Sequence, residues 1–387
     1  MKRQPGPPSR LLLAAALAVA AVPVRAETLF TLTDVRGDDD GNGALIYPNR
    51  DDMTRGDLDL VSLSVEQRAD GIWFVAELGQ PVRSPVGRVT EIGQTPMEKI
   101  ARNDFYTFNI DVYVDKDRVT GSGQTGTVPG RNVTVERADA WEKAIVLTPR
   151  PDIARTMLQL YFDDVLESEL RTRKGRVSSE DLEGLQANSS ARVDELFHFP
   201  NKVRVAGRRI EFLVPSDWLG GVPQPGWAYT VIVTGADLDK PSRPGQLGSD
   251  KQVMLTMGVA RGIRWSQWGI RADADEATPP VVDVLSPDPA VQKRVLSTYD
   301  MTVGRLPAIP GIAPDGSPSA PGSGEEPPPD QLAKISLLPP AEGAAPKPGA
   351  ERRTAPARLR TLNQLLAEGL ITQDEYNEMR KKNLAEL

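Results

Sequence analysis

The sequence has no cysteine and a single histidine, and only 5% of its 387 residues are aromatic. Without cysteine there are no disulfides, thiolate zinc sites, iron–sulfur clusters or cysteine nucleophiles, and no thiol to carry a lipid anchor. One histidine, His198, excludes two-histidine zinc motifs and leaves a Ser-His-Asp arrangement a single candidate base. It sits in Phe197-His198-Phe199-Pro200, where aromatic neighbours and the following proline suit a buried or turn histidine better than a catalytic one. There is no G-x-S-x-G elbow, phosphate-binding loop or dinucleotide fingerprint. Basic residues are in deficit: 46 Lys and Arg face 53 Asp and Glu, a formal net charge of −7. Affinity for nucleic acid draws on clustered Lys and Arg, so an acidic chain argues against that partner.

Long apolar runs are scarce as well. The one that stands out, Leu11 to Val22, follows Lys2, Arg3 and Arg10 and precedes Val24-Arg25-Ala26. A basic start, a short apolar centre and small residues at the cleavage positions read as a signal peptide over residues 1–26. Glu27 is then the first residue of an exported chain. The apolar run falls short of the about 20 residues that span a bilayer, so no membrane span is expected after cleavage. The expected location is the periplasm, the cell surface or the medium.

Composition divides the rest into three pieces. Residues 27–305 have mixed composition and dense β signals. Residues 306–357 contain 13 prolines, which reads as an extended, disordered linker. Residues 358–387 regain helical periodicity.

The large piece reads as mainly β, an antiparallel sandwich with a helical insertion. Apolar residues alternate through Val61–Glu66 and again at Ile72, Phe74, Ala76 and Leu78, on either side of the turn Arg68-Ala69-Asp70-Gly71. Phe105–Val114 is a further strand, and Lys202–Val205 with Ile210–Val214 a second hairpin. Ala228–Thr234 and Val253–Gly258 read as continuous apolar, central strands. Ile153–Leu170 is helical in period, and Ser179 opens a short helix toward Leu185. These predict a helical insertion over about 151–190 at one edge of the sandwich.

Several stretches then occur in a recognisable order. Leu32-Thr33-Asp34-Val35-Arg36-Gly37-Asp38-Asp39-Asp40-Gly41-Asn42-Gly43 leads to Tyr47-Pro48 and Gly56-Asp57-Leu58-Asp59-Leu60. Phe108–Asp115, Pro129-Gly130-Arg131-Asn132, Trp141, Val214–Leu219, Trp227–Val233 and Pro279–Leu285 follow. Together they resemble the C-terminal binding module of glucodextranase and related amylopullulanases, a β-sandwich related to DOMON and carbohydrate-binding domains. The resemblance covers about residues 28–300, departs from the family at 151–190, and implies a non-catalytic, glycan-binding role.

Two candidate sites come from the residues themselves. Asp38, Asp40 and Asn42, then Gly43, match the front half of an EF-hand loop, while Asn49 stands where the closing glutamate would be. The loop reads either as a calcium site, with Asp38, Asp39, Asp40 and Asn42 as ligands and Asp57 and Asp59 completing the set, or as a solvated acidic turn. A sugar site needs exposed flat rings. Trp73, on the strand face opposite Ile72 and Phe74, and Trp265 with Trp268 are the candidates. Trp141, Trp218 and Trp227 read as core.

In the last piece, Leu359, Leu362, Leu365 and Leu366 form a stripe ending at Glu368-Gly369, and Thr372-Gln373-Asp374-Glu375 is a capping box opening a second helix. Leu362–Tyr376 resembles the SHOCT domain, which implies oligomerisation or docking on an envelope protein through residues 358–387. The expectation is therefore an exported, non-catalytic glycan-binding protein. The alternatives are a polysaccharide-acting glycoside hydrolase with paired carboxylates and a structural envelope protein.

Overall fold

The computed structural model describes residues 26–90, 94–174, 178–238, 255–262, 267–274 and 277–318. In chain order the first strands are β1 (Glu27–Thr33), β2 (Leu45–Ile46), β3 (Leu60–Arg68), β4 (Gly71–Leu78) and β5 (Phe108–Asp115). Next come β6 (Thr134–Val135), β7 (Lys143–Leu147), β8 (Phe197–His198), β9 (Val203–Ala206) and β10 (Arg209–Val214). The last are β11 (Ala228–Gly235), β12 (Val259–Arg261), β13 (Trp268–Ile270), β14 (Val281–Val284) and β15 (Ala308–Ile309). The helices are α1 (Met97–Ile100), α2 (Pro151–Lys174), α3 (Ser179–Leu196), α4 (Ser216–Leu219) and α5 (Pro289–Leu296).

Two five-stranded sheets, in the orders β1-β3-β4-β10-β9 and β14-β11-β5-β7-β8, form the sandwich. Their pairings are antiparallel except for β7 with β8. Strict alternation explains the interior. Leu63 and Val65 of β3 and Ile72, Phe74, Ala76 and Leu78 of β4 face Phe108, Ile110, Val112 and Val114 of β5 and Tyr229, Val231 and Val233 of β11. Phe74 pairs with Phe212 across β4 and β10, their rings stacked at 5.6 Å. Both expected hairpins are present, β3–β4 and β9–β10.

The second sheet is covered on its outer face too. Tyr113, Trp141, Ala144 and Val146 pack there against Met157, Leu158 and Phe162 of α2 and Val193 and Leu196 of α3. The helical insertion therefore lies over a face, not only along an edge, and runs from 151 to 196. The helix that starts at Ser179 is also longer than its periodicity suggested. Ser189, buried, donates its hydroxyl to Asp163 of α2, so the continuation of the helix beyond Leu185 is held by its neighbour.

Two other expectations are corrected. Val253–Gly258 is not a central strand in its described part, 255–258, where Thr256 makes an isolated bridge with Ala236. The packed body also continues past Arg305. β15 pairs with β6, Ile309 and Ile312 are buried, and Gly311 donates to Asp139 Oδ2 at 2.8 Å. Pro307 serves as an acceptor, receiving the Thr134 N–H at 2.7 Å, which needs no proline donor. Residues 306–318 thus belong to the sandwich surface rather than to the linker. The signal segment, the remainder of the linker and the C-terminal hairpin lie outside the described residues. Among the described helices none is long and apolar enough to cross a membrane.

Candidate functional site

The acidic loop leaves β1 and folds back onto β14. Gly41 N donates to Val282 O at 2.9 Å, and Gln292 of α5 donates to the Asp38 and Gly41 carbonyls. Gly41 has φ +65°, and a Cβ there would stand 3.1 Å from the Val281 carbonyl oxygen, so the approach requires glycine. This docking carries Asp38 to Asp34, at the end of β1, and to Asp283, in the middle of β14. Each of the three offers one carboxylate oxygen, and the three atoms lie within 4.8 Å of one another.

Hydrogen bonds satisfy only part of this group. Asp34 Oδ1 accepts from Val35 N at 2.8 Å and Ser286 N at 2.9 Å. Asp283 Oδ2 accepts from Leu60 N at 2.6 Å, joining the second sheet to the first. Asp34 Oδ2, Asp38 Oδ1 and Asp283 Oδ1 are buried without a hydrogen-bond partner. Burial, with the charges of Asp38 and Asp59, pushes the Asp34 carboxyl up to about 8, and burial with Asp59, Asp40 and Asp39 pushes Asp38 up to about 6. Asp283 is raised by burial and by Asp34 and Asp38. Asp59, also raised by burial, accepts Gly37 N at 2.9 Å through Oδ1.

Of the six ligands expected from sequence, only Asp38 belongs to this group, with Asp59 beside it. Asp39 accepts from the Tyr47 hydroxyl and from Gly56 N at 2.7 Å. Asp40 pairs with Arg55 at 2.9 Å. Asn42 caps its own turn through Ala44 N at 3.1 Å, and Asp57 pairs with Arg83 at 3.1 Å. Asp34 and Asp283 were not foreseen. The available signal was an aspartate inside the apolar run Val281-Val282-Asp283-Val284-Leu285.

A second acidic group lies in the turn after β5, where Asp115, Asp117 and Glu142 each offer an oxygen. Backbone donors meet part of this group, while Asp115 Oδ2 is buried without a hydrogen-bond partner. Asp115 Oδ1 accepts from Asp117 N and Arg118 N at 3.0 and 2.8 Å, and Glu142 accepts from Lys116 N at 2.7 Å.

The tryptophans expected to meet sugar are covered. Trp73 points away from the sandwich interior, yet it is 0% exposed. Arg68 and Arg204 lie 4.6 and 4.7 Å from its ring and Lys202 5.4 Å, and its Nε1–H donates to Asp70 at 2.8 Å. Long cationic side chains folded over the indole make it structural, not a ligand platform. Trp268, also 0% exposed, packs edge-on against Tyr47 at 4.7 Å. Trp265 lies outside the described residues. Trp141 and Trp227 are buried as expected, but Trp218 is only half-buried.

Trp218 lines a cleft of about 250 Å³ between the helical insertion and the second sheet's edge, with Asp152, Arg155, Asp194, His198, Phe199 and Asn201. Its Nε1–H donates to the Asp194 carbonyl at 2.8 Å, and Arg155 grips the Asp194 carboxylate at 2.7 Å through two nitrogens. His198 donates Nε2–H to Leu213 O at 3.2 Å, and burial lowers its pKa. With that nitrogen committed to a backbone carbonyl, His198 orients the cleft wall.

Comparison with known proteins fits this organisation. Residues 357–382 match the SHOCT short C-terminal domain. No curated protein matches the chain. Residues 29–310, most of the chain and nearly all of the described body, match the SLH-like C-terminal binding module of glucodextranase, and the chain therefore belongs to that family of binding modules.

Proposed function

We propose that this protein binds glycan without turning it over, outside the cytoplasm, and that the cleft beside Trp218 is where the sugar sits. The observation that carries the reading is the match of residues 29–310 to a binding module of glucodextranase, by its name a glucan-acting enzyme. The cleft supplies what a sugar site needs. Trp218, half-buried with Lys143 Nζ 5.0 Å from its ring, and Phe199 contribute the remaining open ring surface for the C–H face of a pyranose, and Asp152, Asn201 and the Arg155–Asp194 pair contribute partners for hydroxyls. The basic and apolar segment over residues 1–26 supports export, and the SHOCT match supports assembly with a second copy or an envelope protein.

A glycan array probed with the purified chain and with Trp218→Ala, run beside a reducing-sugar assay, tests this. Binding without released reducing ends, lost in Trp218→Ala, is the expected result. Released reducing ends would make the protein a hydrolase. Neither binding nor release would leave a structural role in the envelope.

A further inference from the structure

We propose that Asp34, Asp38 and Asp283 bind one calcium ion that clasps the start of the sandwich, tying the end of β1 and the acidic loop to β14 in the opposite sheet. The proposal goes beyond glycan binding and does not depend on it.

Asp283 is the observation that turns an acidic cluster into a site. It is 0% exposed, and it sits in a strand whose other members, Val281, Val282 and Val284, are all buried apolar residues. One of its oxygens is used by Leu60 N. The other has no donor at all, although burying a carboxylate oxygen unpaired is among the costliest arrangements a fold can hold. Asp34 and Asp38 each leave one buried oxygen in the same condition. Asp34 and Asp38 lie four residues apart after β1 and Asp283 comes from β14, and no lysine or arginine pairs with Asp34, Asp38 or Asp283 among the described residues, whereas Asp40 and Asp57 nearby do have arginine partners. The fold has therefore neutralised the outer acidic residues with side chains and left the inner three for something else.

A hard divalent cation meets the need. Three carboxylates at this spacing form an all-oxygen donor set, and calcium accepts such ligands in flexible number and geometry, with water completing the shell. Magnesium requires a near-ideal octahedron and gives up its water reluctantly. The competing explanation is that the group stays partly protonated and shares its protons among the carboxylates.

Calorimetric titration of the chelator-stripped full chain with calcium chloride, with magnesium as the control, decides between them. The expected result is calcium binding at least tenfold tighter than magnesium, with a melting temperature raised by about 4–5 °C at calcium 100-fold above its Kd. Asp38→Asn and Asp283→Asn should each weaken calcium at least tenfold, while Asp117→Asn, in the other acidic turn, should leave it unchanged. Should Asp283→Asn fail to fold by circular dichroism, Asp38→Asn on the loop carries the test alone. Absence of calcium binding to the wild-type chain overturns the proposal. So does binding that survives Asp38→Asn but is lost in Asp117→Asn. A calcium-independent melting temperature that rises in Asp283→Asn would favour shared protons and overturn it as well. Glycan-array signals read alongside are a separate outcome.

Discussion

Arg131 and Asp111 meet in a two-pronged ion pair, Nε to Oδ2 at 2.7 Å and Nη2 to Oδ1 at 3.0 Å, with each residue 1% exposed. Asp111 comes from β5 and Arg131 from the loop that precedes β6, so the pair pins that loop to the outer face of the second sheet. Tyr113 adds its hydroxyl to Asp111 at 3.1 Å, and Arg131 reaches Thr256. A buried pair of this kind contributes little net stability while both partners are present, because desolvation offsets the attraction. Removing one partner is different. Arg131→Met should cost about 3–5 kcal/mol by urea denaturation, since it leaves the Asp111 carboxyl buried without its ionic partner. The double variant Arg131→Met/Asp111→Leu should recover part of that loss, and equal losses in the single and double variants would contradict the account.

Trp73 gives a prediction that separates structure from ligand binding. Trp73→Phe removes the bond to Asp70 and part of the surface under Arg68, Lys202 and Arg204, and it should destabilise by about 1–2 kcal/mol. Glycan binding at the Trp218 cleft should be unchanged. A Trp73→Phe protein that melts like the wild type but loses sugar would return the platform to this strand.

The single histidine offers a clean pH readout. Burial holds the folded His198 pKa below its ordinary 6.5, so the unfolded chain takes up the proton first as pH falls. Stability contributed by neutral His198 is thus fully present above about pH 6.5 and declines as pH drops below it, by at most about 1.4 kcal/mol per pH unit. Buried carboxyls push the other way: Asp115, raised by burial to about 6, favours the folded state at lower pH. The difference between wild type and His198→Gln isolates the histidine. Stability measured from pH 7.5 to 5 should decline more steeply in the wild type, and parallel curves would place His198 in solvent.

The parts of this fold that are local in sequence were legible there. Ile72, Phe74, Ala76 and Leu78 announce their face by a period of two, and that face is the sandwich interior. The cover on Trp73 was hidden because Lys202, just before β9, and Arg204, in it, lie far along the chain. The acidic site divides in the same way. Asp38 was found because its loop is dense in Asp, Asn and Gly, whereas Asp283 reaches it only through the docking of Gly41 on β14. Spacing within one loop also overstated the ligand set, since Arg55 and Arg83 take Asp40 and Asp57. The half-open Trp218 was missed because strand-like neighbours carry no record of the helical insertion that forms the opposite wall of its cleft.

The position of β15 decides how assembly should be tested. A chain ending at Arg305 would lose β15, the buried Ile309 and Ile312, the paired hydrogen bonds of Ile312 with Tyr229 at 2.9 Å, and the Gly311 contact to Asp139. Each of the two isoleucines is worth about 1.5–3 kcal/mol when buried. Truncation there should therefore lower stability by several kcal/mol, a fault unrelated to oligomerisation. A chain ending at Pro318 keeps every one of these contacts and should melt like the full protein. The two lengths then isolate the tail. The sequence spaces Leu359, Leu362, Leu365, Ile371, Tyr376 and Met379 as an apolar stripe, which a segment of 30 residues would be too small to bury by itself, and the proline-rich sequence before it offers few apolar partners. Light scattering should give a multiple of the monomer mass for the chain with residues 358–387 and a monomer for the chain ending at Pro318. Monomeric masses for both would assign the stripe to a different envelope protein rather than to a second copy.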